Sequence, residues 1–254
     1  MRKILRGEKI CKSFNDDNEN KLVLKNVDLE INEGEFVTIM GPSGSGKSTL
    51  LYSVSGMDTI DSGNVYLNDK LISNCTEEEA ADIRRNEIGF IFQQGNLLKN
   101  LSVIDNIVLT AMLNNRKAKD EINERARKIM EKTGILELSD RNISKISGGQ
   151  MQRVGICRAL INNPSIIFGD EPTGALNSKS TKEILDILNS LNEKGTTIML
   201  VTHDAKVAAQ SERILFMVDG EIISQLQMNK YDKYKDNLLK RVDKITEKMR
   251  ELSI

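Results

Sequence analysis

The apolar run Phe36-Val37-Thr38-Ile39-Met40 stops abruptly at Gly41-Pro42-Ser43-Gly44-Ser45-Gly46-Lys47-Ser48-Thr49, and Leu50-Leu51-Tyr52 follows. This reads as a strand, a tight glycine loop and the first turns of a helix. The loop fits G-x-x-x-x-G-K-[ST] without mismatch. Phosphates carry several negative charges and need many donors at short range. Gly41, Gly44 and Gly46 let the backbone approach and turn its N–H groups inward. The helix that starts near Gly46 aims its positive end at the same place. Lys47 adds a full charge near the β- and γ-phosphates, and Ser48 offers a hydroxyl to Mg²⁺.

Further apolar runs occur at Ile88 to Phe92, Ile166 to Phe168, Ile198 to Val201 and Ile214 to Val218. Continuous runs of this kind, separated by helical patterns, predict an α/β fold with a mostly parallel sheet buried on both faces. Ligands of open α/β sheets bind beyond the carboxyl ends of the strands. Gln93, Asp170-Glu171 and His203 each follow the end of a run, so they are expected to converge with the glycine loop on one site. Asp170 can hold Mg²⁺ or its water, Glu171 can act as general base towards an attacking water, and Gln93 is a candidate water or Mg²⁺ ligand. His203 is the chain's single histidine. Its imidazole can donate to a γ-phosphate. Ser147-Gly148-Gly149-Gln150 is a second glycine turn, ahead of an apolar helix-like run. Together these motifs predict a protein that binds and hydrolyses ATP.

The rest of the chain narrows the alternatives. Lys and Arg number 36 against 37 Asp and Glu, a net charge of −1. A dedicated nucleic-acid binder carries a basic excess, so no nucleic-acid partner is expected. No apolar stretch reaches the length that spans a bilayer, and Met1 to Gly7 lacks the apolar segment of a signal peptide. Cys11, Cys75 and Cys157 are too far apart for a metal-type pair, and read as inert thiols. Ser102 is a candidate cap for a helix through Leu113, and residues 119 to 132 carry Ile122, Ala126, Ile129 and Met130 at helical spacing. A third helix is expected from near Gly149 to Leu160. These describe a helical subdomain, 93–160, inserted in a nucleotide-binding core of 1–92 and 161–228. Gly63 with alternating Val65 and Leu67 predicts a small antiparallel element over 61–72. Leu238, Val242, Ile245, Met249 and Leu252 repeat at helical spacing, so 229–254 reads as a separate amphipathic extension that packs on its own domain or on a twin subunit, with a membrane-surface or partner role as the alternative.

Gly41–Thr49, Gln93, Ser147–Gln150, Ile166–Glu171 and His203, in this order, resemble the Walker A, Q-loop, signature, Walker B and H-loop of ABC ATPases. The resemblance covers about residues 4 to 226. It implies the P-loop NTPase ABC fold and a head-to-tail homodimer with two ATP molecules between subunits. Each ATP would lie on one subunit's Lys47 loop and be closed by Ser147, Gly148 and Gly149 of the other. In that scheme Glu171, His203 and Lys47 are the catalytic residues, and Ser48, Gln93 and Asp170 hold Mg²⁺. Nucleotide contacts come from the whole loop Gly41–Thr49, from Gln93 and from Ser147–Gln150. Phe14 matches the aromatic that stacks on adenine, where the family usually has Tyr.

Gly89–Gln94, Asn96-Leu97-Leu98 and Gly169–Ser178 resemble the branch serving macrolide export, lipoprotein release and bacitracin-type peptide resistance. Gly174-Ala175-Leu176 and the C-terminal extension lean towards the last. That resemblance implies a large permease with an extracellular domain, a sensor histidine kinase as a further partner, and a peripheral position on the cytoplasmic face of the membrane. Asn177 departs from the Asp usual at the D-loop. Ile143 replaces a frequent Pro, and Ile146 a usual Leu; both read as packing changes. A cell-division ABC regulator, which signals through a transmembrane partner without transport, is the alternative. DNA-repair and ribosome-associated types are disfavoured, because the chain has neither a long inserted coiled coil nor a second ATP motif set.

Overall fold

The computed structural model describes residues 2–16, 19–114 and 118–254; Met1 of the charged N-terminal stretch lies outside them. In chain order the elements are β1 (Lys3–Asp16), β2 (Glu19–Asn32), β3 (Phe36–Met40), α1 (Lys47–Val54), β4 (Ser62–Leu67), β5 (Lys70–Leu71), α2 (Glu77–Asn86), β6 (Ile88–Ile91), α3 (Val103–Asn114), α4 (Lys119–Lys132), α5 (Gly148–Leu160), β7 (Ile166–Asp170), α6 (Ser178–Glu193), β8 (Thr197–Val201), α7 (Ala205–Ala208), β9 (Arg213–Val218), β10 (Glu221–Gln227) and α8 (Leu238–Glu251). They form two compact units, Met1–Ala80 with Leu191–Ile254, and Ala81–Ser190.

In the first unit β3 lies between β8 and β9, parallel to both, with Ile39 opposite Val201 and Leu215. Every residue of β3 and β8 is buried, as the continuous apolar runs require. β10 adds antiparallel to β9 at the edge and alternates between exposed and half-buried residues. A separate antiparallel sheet has the order β2-β1-β4-β5. Its β4 and β5 are the small element expected over 61–72. The long pair β1 and β2 is not legible as alternation, because its register shifts four times, between Lys3/Leu5, Gly7/Ile10, Ile10/Lys12 and Lys12/Ser13. Each shift moves side chains to the opposite face and erases the period of two.

The C-terminal segment falls within the first compact unit. Residues 229–237 are non-helical, and α8 starts at Leu238, where Asn237 accepts hydrogen bonds from the N–H groups of Leu239 and Lys240. Its apolar stripe shares one core with Met40, Ala208, Ala209, Ile214 and Phe216, with Ile245 fully buried and Leu238, Val242, Met249 and Leu252 around it. The periodic spacing was legible; the partner surface was not, because it is made of residues far away in sequence.

In the second unit β6 and β7 pair in parallel, with Phe90 opposite Phe168. α3, α4 and α5 enclose an apolar core that includes Val103, Ile107, Ala126, Met130, Val154 and Cys157. Burial pushes the Cys157 thiol up to about 12, which keeps it protonated and inert. The compact division runs through α2 and α6. α5 and the segment after it are tied to β6 and to the end of α2. Gly89 lies so near Ala159 that a Cβ there would sit 2.7 Å from its carbonyl oxygen. Asn162 donates to the Arg85 carbonyl, and Ser165 to the Glu87 carboxylate. α3 begins where Ser102 accepts from the Asp105 N–H, and α4 covers the predicted 119 to 132.

Candidate nucleotide site

The first unit holds the phosphate loop. β3 delivers the chain to Gly41, where a Cβ would lie 2.0 Å from the Met217 carbonyl oxygen, so only glycine fits. Gly44 and Gly46 take φ of 81° and 99°, a region L side chains rarely enter. Ser45 closes the loop, accepting from the Gly220 N–H at 3.0 Å and donating its own N–H to the Pro42 carbonyl at 3.3 Å. Lys47 is buried, and its Nζ donates to the Gly41 and Pro42 carbonyls at 2.9 and 2.7 Å. The ammonium is thus held inside the curve of the loop. α1 opens with no side-chain cap and no acidic residue in its first turn. Its opening turn thus presents the positive end of a helix with no acidic side chain beside it. Pro42, Ser43 and Gly44 are exposed; Ser48 and Thr49 are half-buried in the opening turn.

His203 belongs to the same unit. Thr202 donates its N–H to the Ile39 carbonyl at 3.1 Å, and its Oγ1 accepts from the Asp204 N–H. The exposed His203 thus leaves the carboxyl end of β8, beside the strand that feeds the phosphate loop. Phe14 stands on β1, 45 % exposed, with the Lys12 ammonium 5.1 Å from its ring centre.

The second unit gathers the carboxylates and Gln93. Asp170 is the last residue of β7 rather than the first beyond it, and β6 ends at Ile91, two residues before Gln93. Glu171 has φ 43°, a left-handed turn that swings the chain sharply off the strand. A Cβ on Gly174 would lie 2.8 Å from Gln93 Nε2 and 3.1 Å from Glu171 Oε2. The amide and the carboxylate therefore meet over a residue that has no side chain. Holding a non-glycine residue at positive φ costs about 1–3 kcal/mol, and such strain clusters where chemistry demands it.

Ser147 caps α5. Its Oγ accepts from the Gln150 N–H at 3.3 Å, while Gln150 Oε1 accepts from the Ser147 N–H at 2.8 Å. This reciprocal box engages the Gln150 carboxamide with the helix itself. Ser147 and Gly148 are exposed, and Gly149 packs where a Cβ would meet Ser180 Oγ at 2.8 Å. Asn177, the D-loop departure, caps α6 by accepting from the Ser180 N–H at 2.9 Å, a role Asp fills equally well. Ile143 is buried in the helical core and Ile146 packs against it.

Two residues not singled out from the sequence hold the Gln93 segment. Gln152, buried in α5, donates to the Phe92 carbonyl at 3.0 Å. Arg158 donates to the Asn96 and Gly95 carbonyls at 2.7 Å each, and burial lowers its pKa from the ordinary value. A glutamine inside the helix and an arginine in its last turn are the signals the sequence carries. Gln93 and Asp170 in the second unit, and separately Ser48 in the first, carry the oxygen donors that a hard divalent cation takes. No cluster of three or more His, Cys, Asp or Glu suited to a metal exists among the described residues.

The family model described as "ABC transporter" matches residues 24–174. The chain is 43% identical over 226 residues to the bacitracin export ATP-binding protein BceA of Halalkalibacterium halodurans, covering 88% of each. It is 43% identical over 221 residues to the macrolide export ATP-binding/permease protein MacB of Campylobacter jejuni, covering 87% of this chain but only about a third, 34%, of that protein. Among solved structures, the dimeric post-hydrolysis state of the cassette MJ0796 bound to ADP and Pi matches with a TM-score of 0.83 and 39% identity, over 90% of this chain and all of that one; a protein of that name comes from Methanocaldococcus jannaschii. Motif order, loop geometry, fold and these likenesses agree: the chain belongs to the ABC transporter family, as an ATP-binding cassette with ATPase activity.

Proposed function

We propose that this cassette powers a membrane permease carried on another chain, in resistance to or export of antimicrobial peptides. The observation that carries the finer reading is the likeness to a bacitracin export ATP-binding protein over 88% of both chains. No helix among the described residues is long and apolar enough to cross a membrane. The proposed position is peripheral, on the cytoplasmic face, held by the permease. A homodimer forms on ATP, as dimeric structures of a related cassette support.

In the proposed mechanism the loop Gly41–Thr49 and Lys47 bind the phosphates of ATP, and Phe14 stacks on adenine through its exposed ring face. Ser48, Gln93 and Asp170 would hold Mg²⁺, which when bound offsets phosphate charge. Glu171 takes a proton from water as the water oxygen attacks the γ-phosphorus; the bond to the β–γ bridging oxygen breaks, and ADP and phosphate leave. His203 donates to a γ-phosphate oxygen and holds it in line. Ser147 and the first N–H groups of α5 of a second subunit close the site, using a helix N-terminus as an anion donor.

Glu171→Gln, expressed in the native cell and trapped with ATP and Mg²⁺, tests the reading through what copurifies from membranes. The expected partner is a large permease with an extracellular domain, together with a sensor histidine kinase. A small transmembrane partner with cell-wall hydrolases would replace this reading by the cell-division one.

A further inference from the structure

α7 is a single turn of four residues, too short to persist without help. It begins at Ala205, and Asp204, directly after His203, caps it by accepting from the Lys206 N–H at 2.7 Å. Its far end is held by α8. Arg241, 7% exposed, donates from Nε to the Ala209 carbonyl at 2.7 Å and from Nη2 to the Ser211 carbonyl at 2.8 Å. Its Nη1 reaches the Asn229 carbonyl at 2.9 Å and lies 3.7 Å from Asp236, while the Tyr231 ring sits 5.4 Å away. Carbonyls at a helix end lack intrahelical donors, and a planar guanidinium can serve several at once. Ala208 and Ala209 are buried in the same core as Ile245.

The phosphate loop has its own supports in α1, Gly220 and Met217. The His203 turn has Thr202 bonded to β3 on one side and α7 on the other. We infer that α8 is a brace for this turn, and that Arg241 is a positioning residue that sets where the His203 imidazole stands. This gives the C-terminal helix a task at the nucleotide site without contact to nucleotide. The catalytic part of the inference rests on the proposed role of His203; the structural part does not.

The test uses the full chain without a histidine tag, so that His203 supplies the sole imidazole signal in proton NMR. Arg241→Met and Arg241→Lys are compared with Arg213→Met, which breaks a different, part-buried pair, the bidentate contact to Glu35. Arg241→Met is expected to move or broaden the imidazole signal and to lower kcat about tenfold with KM within about twofold, the signature of misplacement rather than lost binding. Arg241→Lys should retain part of both and carries the test if the Met variant does not fold. Arg213→Met should leave the signal in place. An unchanged imidazole signal in both Arg241 variants, or an equal change in Arg213→Met, overturns the inference. Wild-type turnover in His203→Ala would remove the proposed role of His203, while the NMR comparison still decides whether Arg241 fixes the turn.

Discussion

Glu171→Gln is expected to lower ATP turnover about a hundredfold to ten-thousandfold, the range a general base contributes, while ATP still binds. The amide keeps the size and hydrogen-bonding reach of the side chain but cannot take a proton at neutral pH. The geometry around it sharpens the expectation. Glu171 stands at φ 43° at the end of β7, with Oε2 near the same open position over Gly174 that Gln93 Nε2 approaches. Gln is isosteric there, so the backbone and Gln93 need not move, and the loss falls on the chemical step. Single-turnover phosphate release gives the rate, and equilibrium dialysis with ATP gives the affinity. A turnover within about threefold of wild type would assign the base elsewhere.

Gly41→Ala is expected to abolish nucleotide binding and to destabilise the first unit by about 3 kcal/mol, the upper end of overpacking costs. The added Cβ would sit 2.0 Å from the Met217 carbonyl oxygen, and its nearest neighbours include Ser45 Oγ at 2.9 Å. The obstacle is backbone of β9, which is paired to β3 from Val37 to Met40 and cannot rotate away as a side chain could. Relief requires either separating the two strands or lifting the loop, and both move the carbonyls that hold Lys47. Gly44→Ala is the informative contrast. It meets no atom within 4 Å, so its cost is confined to φ 81°, about 1–2 kcal/mol. Urea unfolding and ATP binding on both variants check the ranking.

The parts of this fold legible in the sequence share one property: their determinants are local. β3, its glycine loop and α1 follow from an apolar run, three closely spaced glycines and a helical continuation. α4 and α8 follow from spacing alone, and α5 from a glycine turn ahead of an apolar helical run. β1 and β2 escape because repeated register shifts scramble their alternation. Gln152, Arg158 and Arg241 escape for a different reason. Each is a polar side chain whose partners are backbone carbonyls 12 to 63 residues away, and a carbonyl leaves no mark in a sequence. Asn177 shows the reverse: at the position where Asp is usual, its amide oxygen does the helix-capping work that the site's architecture needs.

The central claim is that one subunit's phosphate loop and another's Ser147 helix together close on ATP. The most direct test mixes two disabled chains, Lys47→Ala and Ser147→Arg, each also carrying Glu171→Gln so that ATP persists. Sedimentation with ATP and Mg²⁺ should show each chain alone as a monomer and the mixture as a dimer. In the mixture the intact loop of the Ser147→Arg chain meets the intact signature of its partner. A mixture that stays monomeric with ATP, while the chain carrying only Glu171→Gln dimerises, would contradict the account.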